Sequence, residues 1–549
     1  MQILQRIAAS FSVVGIVLGL AFFCASLTPS LLPREFIVQG VLSGVVFAVG
    51  YGIGKAGHWI WRFMELRDLS GRFGRILTWM LVGILTLTAV YTLSQMTLWQ
   101  NSIRVLMEME PIDSAYPLTV ACVAIATALA VVLLVRLIIF GAAKVVSIIE
   151  RHLPRRTAIV LGGTVFVLVL ISFVDGFILK TSLHAMSETF DKLDRLLDDE
   201  YEPPQDEWVS GSAQSLIAWS EIGRNGKRYI ADGPTREEIE VIIGQEAIQP
   251  IRVYAGLGTG ETLEERAQIA LAELKRVGGF DRSTLIIANT TGTGWLDPSA
   301  VDTVEYIHAG DTATVTLQYS YLPSWLTLMV EPELSQRAAH ALFNAVYGYW
   351  TRLPRDKRPK LYLHGLSLGA LGSEDSADLI AMIADPINGA LWSGSPFLST
   401  AWKAVTHSRN PGTPQWRPIF RDSAAIRFMT QNGFPDLPGA NWGPLRIVYL
   451  QHASDPMSFF SSDPAYAQPD WLGPVRGRDV SPYLRWFPVV TFFQVAFDIP
   501  MATSVPLGYG HNFAPTNYID AWVEVTQPRN WSGKDTARLK THFRENRFS

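Results

Sequence analysis

Five apolar stretches crowd into the first third of the chain, and each is long enough for a helix to cross a hydrocarbon core, which takes roughly 20 residues. They run approximately from Ile7 to Leu27, Phe36 to Trp61, Ile76 to Trp99, Tyr116 to Phe140 and Thr157 to Leu179. Gly40, Gly44, Gly50, Gly52 and Gly54 give the second stretch small faces along which helices approach closely. Positive side chains are retained on the cytoplasmic side of a membrane. With the N-terminus inside, the inner segments carry Arg6, Arg62, Arg67, Arg72, Arg75, Lys144, Arg151, Arg155 and Arg156, against Arg34, Arg104 and Lys180 outside. That bias places everything after Lys180 outside the cytoplasm. Reading the first stretch as a cleaved signal peptide leaves the topology of the remainder unchanged. Arg136 and Asp175 lie near helix ends, where snorkelling to the interface accounts for them.

The whole chain of 549 residues is 48% hydrophobic and 17% charged, with a mean hydropathy of +0.17, as a partly membrane-embedded protein requires. A net charge of −4 gives no basic surplus for nucleic acid. The two cysteines, Cys24 and Cys122, fall within apolar runs, so neither a disulfide framework nor a cysteine metal site is available beyond them.

After the last crossing, Leu183, Met186, Phe190, Leu193 and Leu197 form one apolar stripe among acidic residues, an amphipathic stalk that Pro203 and Pro204 end. This predicts a transmembrane domain over 1–180, a stalk over 181–204 and a second domain over 205–549. Within the second domain, strand patterns "IRVYAG", "STLIIAN", "ATVTLQYSY", "KLYLHG", "GALWSG" and "RIVYLQ" alternate with helical ones. Thr262 with Glu265 opens one helix, and others start near Pro298 and in "ELSQRAAHALFNAVYGYW". Nearly continuous apolar strands alternating with helices predict a mainly parallel sheet covered on both faces, an α/β fold. "WFPVVTFFQVAF" fits either a last strand or an apolar helix.

The strand "KLYLHG" runs into Gly365-Leu366-Ser367-Leu368-Gly369. The G-x-S-x-G pattern acquires meaning at the end of a buried parallel strand with a helix after it, where a strained turn exposes the serine hydroxyl. Such a hydroxyl needs a base oriented by an acid. Of the ten histidines, His407, His452, His511 and His542 follow Ser367. His511, in the loop "PLGYGHNFAP" near the end of the domain, is the expected base. Asp455, just past the strand "RIVYLQ", is the expected acid, with Asp463 as the fallback. The oxyanion donors expected are the N–H of Leu368 and that of Thr291 or Gly292 in the loop "TTGTGW". Neither that loop nor "GLGTG" has the spacing of a dinucleotide or P-loop fingerprint, and no H-E-x-x-H occurs, so no cofactor and no metal are expected.

The motifs "GTGWLDP", "QYSYLPSW", "HGLSLGALGSE", "YLQHASDP", "RWFPVVTF" and "GYGHNFAP" span most of residues 205 to 540. Together they resemble the bacterial membrane-anchored alpha/beta-hydrolase family, in which a multi-helix N-terminal region precedes a hydrolase domain. The resemblance implies an alpha/beta-hydrolase fold with Ser367 as nucleophile, Asp455 as acid and His511 as base, and it supplies no substrate. The expectation is an integral protein of the bacterial cytoplasmic membrane with a serine hydrolase domain on the extracytoplasmic side. It would cleave an ester, lipid-like in view of the apolar segments "YLPSWLTLMV" and Trp471 to Phe497, both of which fit a packed core equally. Acyl transfer to envelope lipid or glycan uses the same triad. A non-catalytic membrane-anchored binding module and a transporter regulated by its outer domain are the readings outside enzymology.

Overall fold

The computed structural model describes residues 12–66, 72–172, 201–377 and 382–545. The stalk from Leu183 to Leu197, the end of the fifth apolar stretch with Asp175 and Lys180, and Arg67 all lie outside the described residues. The chain divides into two compact units. One holds the N-terminal helices together with Phe460–Leu472 and Arg478–Met501, and the other holds the described residues of 186–459, 473–477 and 502–549.

The second unit is built on seven strands, ordered β1-β3-β2-β4-β5-β7-β6 and parallel at every pairing. They are β1 Ile251–Ala255, β2 Thr284–Asn289, β3 Thr312–Leu317, β4 Lys360–Leu366, β5 Gly389–Ser393, β6 Ile426–Met429 and β7 Arg446–Leu450. Every residue of β1, β2, β3 and β5 is buried, as a sheet with both faces covered demands. Helices Leu263–Arg276, Pro298–Ile307, Pro332–Trp350 and Pro515–Thr526 are among those that cover it. Thr262 caps the first of these through the N–H of Glu265, while the Glu265 carboxylate reaches the N–H of Glu261 rather than that of the cap. Asp297 caps the second. Sequence analysis missed β6, a short edge strand whose first two residues are only half-buried and which therefore lacks an apolar run.

Among the described residues, the first unit has four helices long and apolar enough to cross a membrane: Phe36–Phe63, Ile76–Leu106, Pro117–Ile149 and Arg155–Ser172. Val13–Ser26 is a shorter apolar helix that begins next to residues outside the description. Glycine sets how closely these helices pack. A Cβ on Gly40 or Gly44 would overlap Val123, or Ala124 and Thr127, and one on Gly50 or Gly54 would strike the backbone of Leu18 or Val14. Gly52, expected on the same small face, meets nothing.

Part of the sequence after Asp455 folds into this helical unit. "WFPVVTFFQVAF" resolves into helix Val490–Asp498, and Val490 packs with Leu42 and Val46 beside Phe22, Phe487, Phe493 and Phe497. The expected single boundary at Pro203 and Pro204 takes no account of this insertion. At its centre Arg34 Nε lies 2.9 Å from Asp498 Oδ1, with both side chains fully buried. Asp498 also accepts from the Ser30 hydroxyl and from the N–H of Leu31, and Arg34 donates to the carbonyl of Gln494 and to Gln39. A buried ion pair held by further hydrogen bonds is costly to break from one side, because a lone charge is left in a low dielectric. Arg34→Met is therefore expected to destabilise this unit by about 3–5 kcal/mol. In thermal unfolding of the detergent-solubilised chain, the double change Arg34→Met with Asp498→Leu should recover part of the loss. A double variant no better than Arg34→Met would show that the pair is not what matters.

Candidate active site

β4 is the fourth of the seven strands, and its carboxyl end runs into the turn at Ser367 and then the helix Leu368–Ser376. Ser367 sits at φ 59° and ψ −123°, a conformation side chains rarely adopt and one that persists only where the surroundings enforce it. The enforcement is steric. A Cβ on Gly365 would lie 2.3 Å from the backbone of Gly369, and one on Gly369 would lie 2.2 Å from the carbonyl oxygen of Asn289. The Ser367 N–H donates to Ser393 O at 3.0 Å, and the Ser335 hydroxyl donates to Leu368 O at 2.7 Å, fastening both sides of the turn.

The loop after β7 presents Asp455, whose carboxylate has a full set of partners. Oδ1 accepts the N–H of Met457 at 2.8 Å, and Oδ2 accepts the Ser458 hydroxyl at 3.1 Å and His511 Nδ1 at 2.7 Å. A carboxylate only accepts, so the imidazole proton is on Nδ1 and the lone pair is on Nε2. The His511 loop is gripped by the same segment: the Gly510 N–H donates to Ser454 Oγ, and His452 Nδ1 donates to Gly510 O, both at 2.9 Å. Phe513, stacked on His452, presents its ring to the edge of His511.

Serine and histidine are both placed at the end of β5. Ser367 is bonded to Ser393, and the His511 ring lies against the next residue, Gly394, so closely that a Cβ there would sit 2.4 Å from Cε1. Among the described residues, Ser367 Oγ and His511 Nε2 are buried atoms that make no hydrogen bond, to each other or to any other group. Sequence analysis placed Ser367, Asp455 and His511 at strand-end loops, and the structure brings all three to one edge of the sheet. Asp463, the fallback acid, instead accepts from the Tyr466 hydroxyl within the insertion. His364, three residues before the serine, is turned away from this work. It bonds Leu391 O, packs against Trp522, and is pushed down to about 4 by burial.

Two of the three expected oxyanion donors already have acceptors. Leu368 is the first residue of its helix, where an N–H has no intrahelical acceptor. The loop after β2 does border the turn, since Asn289 and Thr290 touch Gly369. Yet the N–H of Thr291 closes its own turn onto Trp295 O, and that of Gly292 donates to Ser324 Oγ, both at 2.9 Å. Thr291 is thus committed to the loop. Gly292 becomes free only when the Ser324 hydroxyl is displaced.

Among the described residues, no group of three or more His, Cys, Asp or Glu side chains is placed to hold a metal ion. Two family models match the chain: one of the alpha/beta-hydrolase family over residues 251–539, and one of that family's N-terminal region over 27–234. The chain belongs to the alpha/beta-hydrolase family. No curated protein and no solved structure matches it.

One residue at this hydrolase site escaped sequence analysis although it lies in the quoted "HGLSLGALGSE". Glu374, on the helix that follows the turn, is buried and accepts from the Ser399 hydroxyl, the Trp402 N–H and the Tyr449 hydroxyl. It ties that helix to β7 and to the segment after β5. Burial pushes its carboxyl up to about 7, and these donors offset the effect only in part. The folded state therefore binds this proton more tightly than the unfolded chain does. The stability it contributes is complete below about 4.5 and is lost as pH rises through about 7. Between about pH 5 and pH 8, thermal stability should fall less steeply in Glu374→Gln, which keeps an acceptor and cannot ionise. Identical slopes for the parent and this variant would contradict that assignment.

Proposed function

We propose that this chain is a membrane-anchored serine hydrolase that cleaves esters through an acyl-enzyme. The observation that carries the reading is the His511 Nδ1 bond to Asp455 Oδ2 at 2.7 Å, with Nε2 left unbonded beside the strained turn that holds Ser367. Ser367 Oγ attacks the ester carbonyl and its proton passes to His511 Nε2. Asp455 keeps the imidazole in the tautomer that can accept it, and steadies the positive charge that follows. The oxygen of the tetrahedral intermediate receives the Leu368 N–H, and the Gly292 N–H once substrate displaces Ser324 Oγ. Collapse expels the alcohol, protonated by His511. Water activated by the same imidazole then releases the acid.

A lipid-like substrate is favoured by the segment beside the Gly292 loop. Ser324 opens the apolar helix Ser324–Val330, whose Met329 is 53% exposed. Placement of the catalytic unit outside the cytoplasm rests on the lysine and arginine bias of the helix connections. The bias is sharper than a bare count suggests, because Arg34, on the outer side, is used up inside a buried ion pair.

Fluorophosphonate labelling of the detergent-solubilised chain tests the reading. The parent should label at Ser367, Ser367→Ala should not label, and His511→Ala should slow the reaction by about 10²–10⁴-fold. Folded parent protein that stays unlabelled would leave only a binding module. Labelling of Ser367, together with a separate assay in which the acyl group of an ester substrate passes to an added alcohol and no acid is released, would identify an acyltransferase.

A further inference from the structure

The loop between β2 and the helix Pro298–Ile307 closes on itself. The Thr291 N–H donates to Trp295 O at 2.9 Å, and the Gly294 N–H donates back to Thr291 O at 3.0 Å. A segment tied in this way moves as one piece, so the aim of the Gly292 N–H is set by how the whole turn is held. At rest that N–H donates to Ser324 Oγ at 2.9 Å. Catalysis as proposed above removes this hydroxyl, and with it the bond that aims the donor. A donor stabilises a developing oxyanion only when it is already in place, because free energy spent on turning it is lost from the transition state. Other groups must therefore keep the loop in position.

Two side chains from outside the loop reach its carbonyls. The Tyr254 hydroxyl donates to Gly294 O at 2.7 Å, and Asn225 Nδ2 donates to Thr293 O at 2.8 Å. Tyr254 belongs to β1, the edge strand, where it stands level with Thr316 of β3; β2, which leads into the loop, is one strand further on. The tyrosine is fully buried, and two glycines admit it. A Cβ on Gly226 would lie 2.4 Å from Tyr254 Cδ1, and one on Gly294 would lie 2.5 Å from the hydroxyl oxygen and 2.7 Å from the Gln318 side chain. Gly294 also takes φ 80°, so the turn is built directly against the phenol. Because this contact is buried, removing the hydroxyl leaves a carbonyl without its donor and loosens the turn at that point. Asn225, on the helix Arg224–Ala231, supplies a second and separate anchor.

We propose that Tyr254 is a positioning residue of the oxyanion hole and that Asn225 shares the task. Neither is required to touch substrate. Each holds a carbonyl of the loop, so that the Gly292 N–H keeps its aim when Ser324 Oγ leaves. The inference rests on the hydrolase reading above, and it adds residues on which the transition state depends more than the bound ester does.

The test is steady-state kinetics of the full chain in mild detergent, with p-nitrophenyl butyrate as the ester and phenylboronic acid as a probe that forms a tetrahedral adduct on serine. Tyr254→Phe removes only the hydroxyl. Its kcat should fall about 10–100-fold, less than the loss of a direct donor costs. KM should stay within about twofold, and affinity for the boronic acid should fall together with kcat. Asn225→Ala should act in the same direction. Tyr229→Phe removes another buried phenol, whose ring centre lies 6.2 Å from that of Tyr254 and whose hydroxyl lies toward Thr314, and it should leave all three quantities unchanged. An unchanged kcat in Tyr254→Phe, a fall in kcat with boronic acid bound as before, or a loss carried by KM alone would overturn the proposal. An equal loss in Tyr229→Phe would overturn it too, by assigning the effect to packing. Should thermal unfolding show that Tyr254→Phe does not fold, Asn225→Ala decides by the same readings. A parent chain that neither labels at Ser367 nor hydrolyses the ester would defeat the hydrolase reading and this inference with it, whereas an active parent with indifferent variants would defeat this inference alone.

Discussion

The turn at Ser367 depends on a steric exclusion: nothing larger than hydrogen fits at Gly365 or Gly369. Each glycine lets one backbone segment come against another, Gly365 onto the start of the helix after Ser367 and Gly369 onto the end of β2. Because the helix start is pressed down in this way, the intervening serine is forced to positive φ. Its hydroxyl is left without a partner, while its N–H is consumed by Ser393. The strain is borne by seven parallel strands, of which β4 is buried from Leu361 onward and its neighbours β2 and β5 are buried throughout, a scaffold stiff enough to keep the turn from relaxing.

Asp455 and His511 sit at the two ends of an insertion. Asp455 precedes the short helix Pro456–Phe459, after which the chain joins the helical unit at Phe460; it returns at Ala502, whose carbonyl accepts the N–H of His511 at 2.8 Å. Between those points Asp498 pairs with Arg34, from the connection between the first two helices. The N-terminal helices and the hydrolase sequence are therefore interleaved rather than strung end to end. An arginine in a helix connection ordinarily serves as a free topological charge. Here it is committed to the interior, with each of its three guanidinium nitrogens donating a hydrogen bond.

What was legible in the sequence follows from the range of each interaction. Parallel strands, helix caps and the turn at Ser367 are written in runs of a few residues, and they appear where the pattern put them. The pairing of Arg34 with Asp498 joins residues more than 460 positions apart, and no local pattern carries it. β6 was lost because an edge strand half open to solvent need not be apolar. The loop after β2 was located correctly by counting strands, yet which of its N–H groups are spent depends on a turn onto Trp295 and a hydroxyl from Ser324. Glu374 stood in a quoted motif without a role, since a carboxylate's task is set by the donors that tertiary structure gathers around it.

The helical unit resolves a tension that a water-soluble protein would not survive. Helix Phe36–Phe63 is half buried along its most apolar window and acts as the hub, whereas the corresponding windows of Ile76–Leu106, Pro117–Ile149 and Arg155–Ser172 are only 11–17% buried. Leu87, Leu118, Leu137 and Val160 stand largely exposed on those helices. In water such surface would far exceed the apolar patches that monomeric proteins tolerate. In hydrocarbon it costs nothing, and association must come instead from close packing. The glycines of the hub supply that packing on two faces, Gly40 and Gly44 toward one neighbour and Gly50 and Gly54 toward another. The insertion adds a further interface at Leu42 and Val46, in the hub's first half. One helix thus organises lipid-facing and protein-facing partners together, and its small residues, more than its hydrophobicity, determine the shape of the bundle.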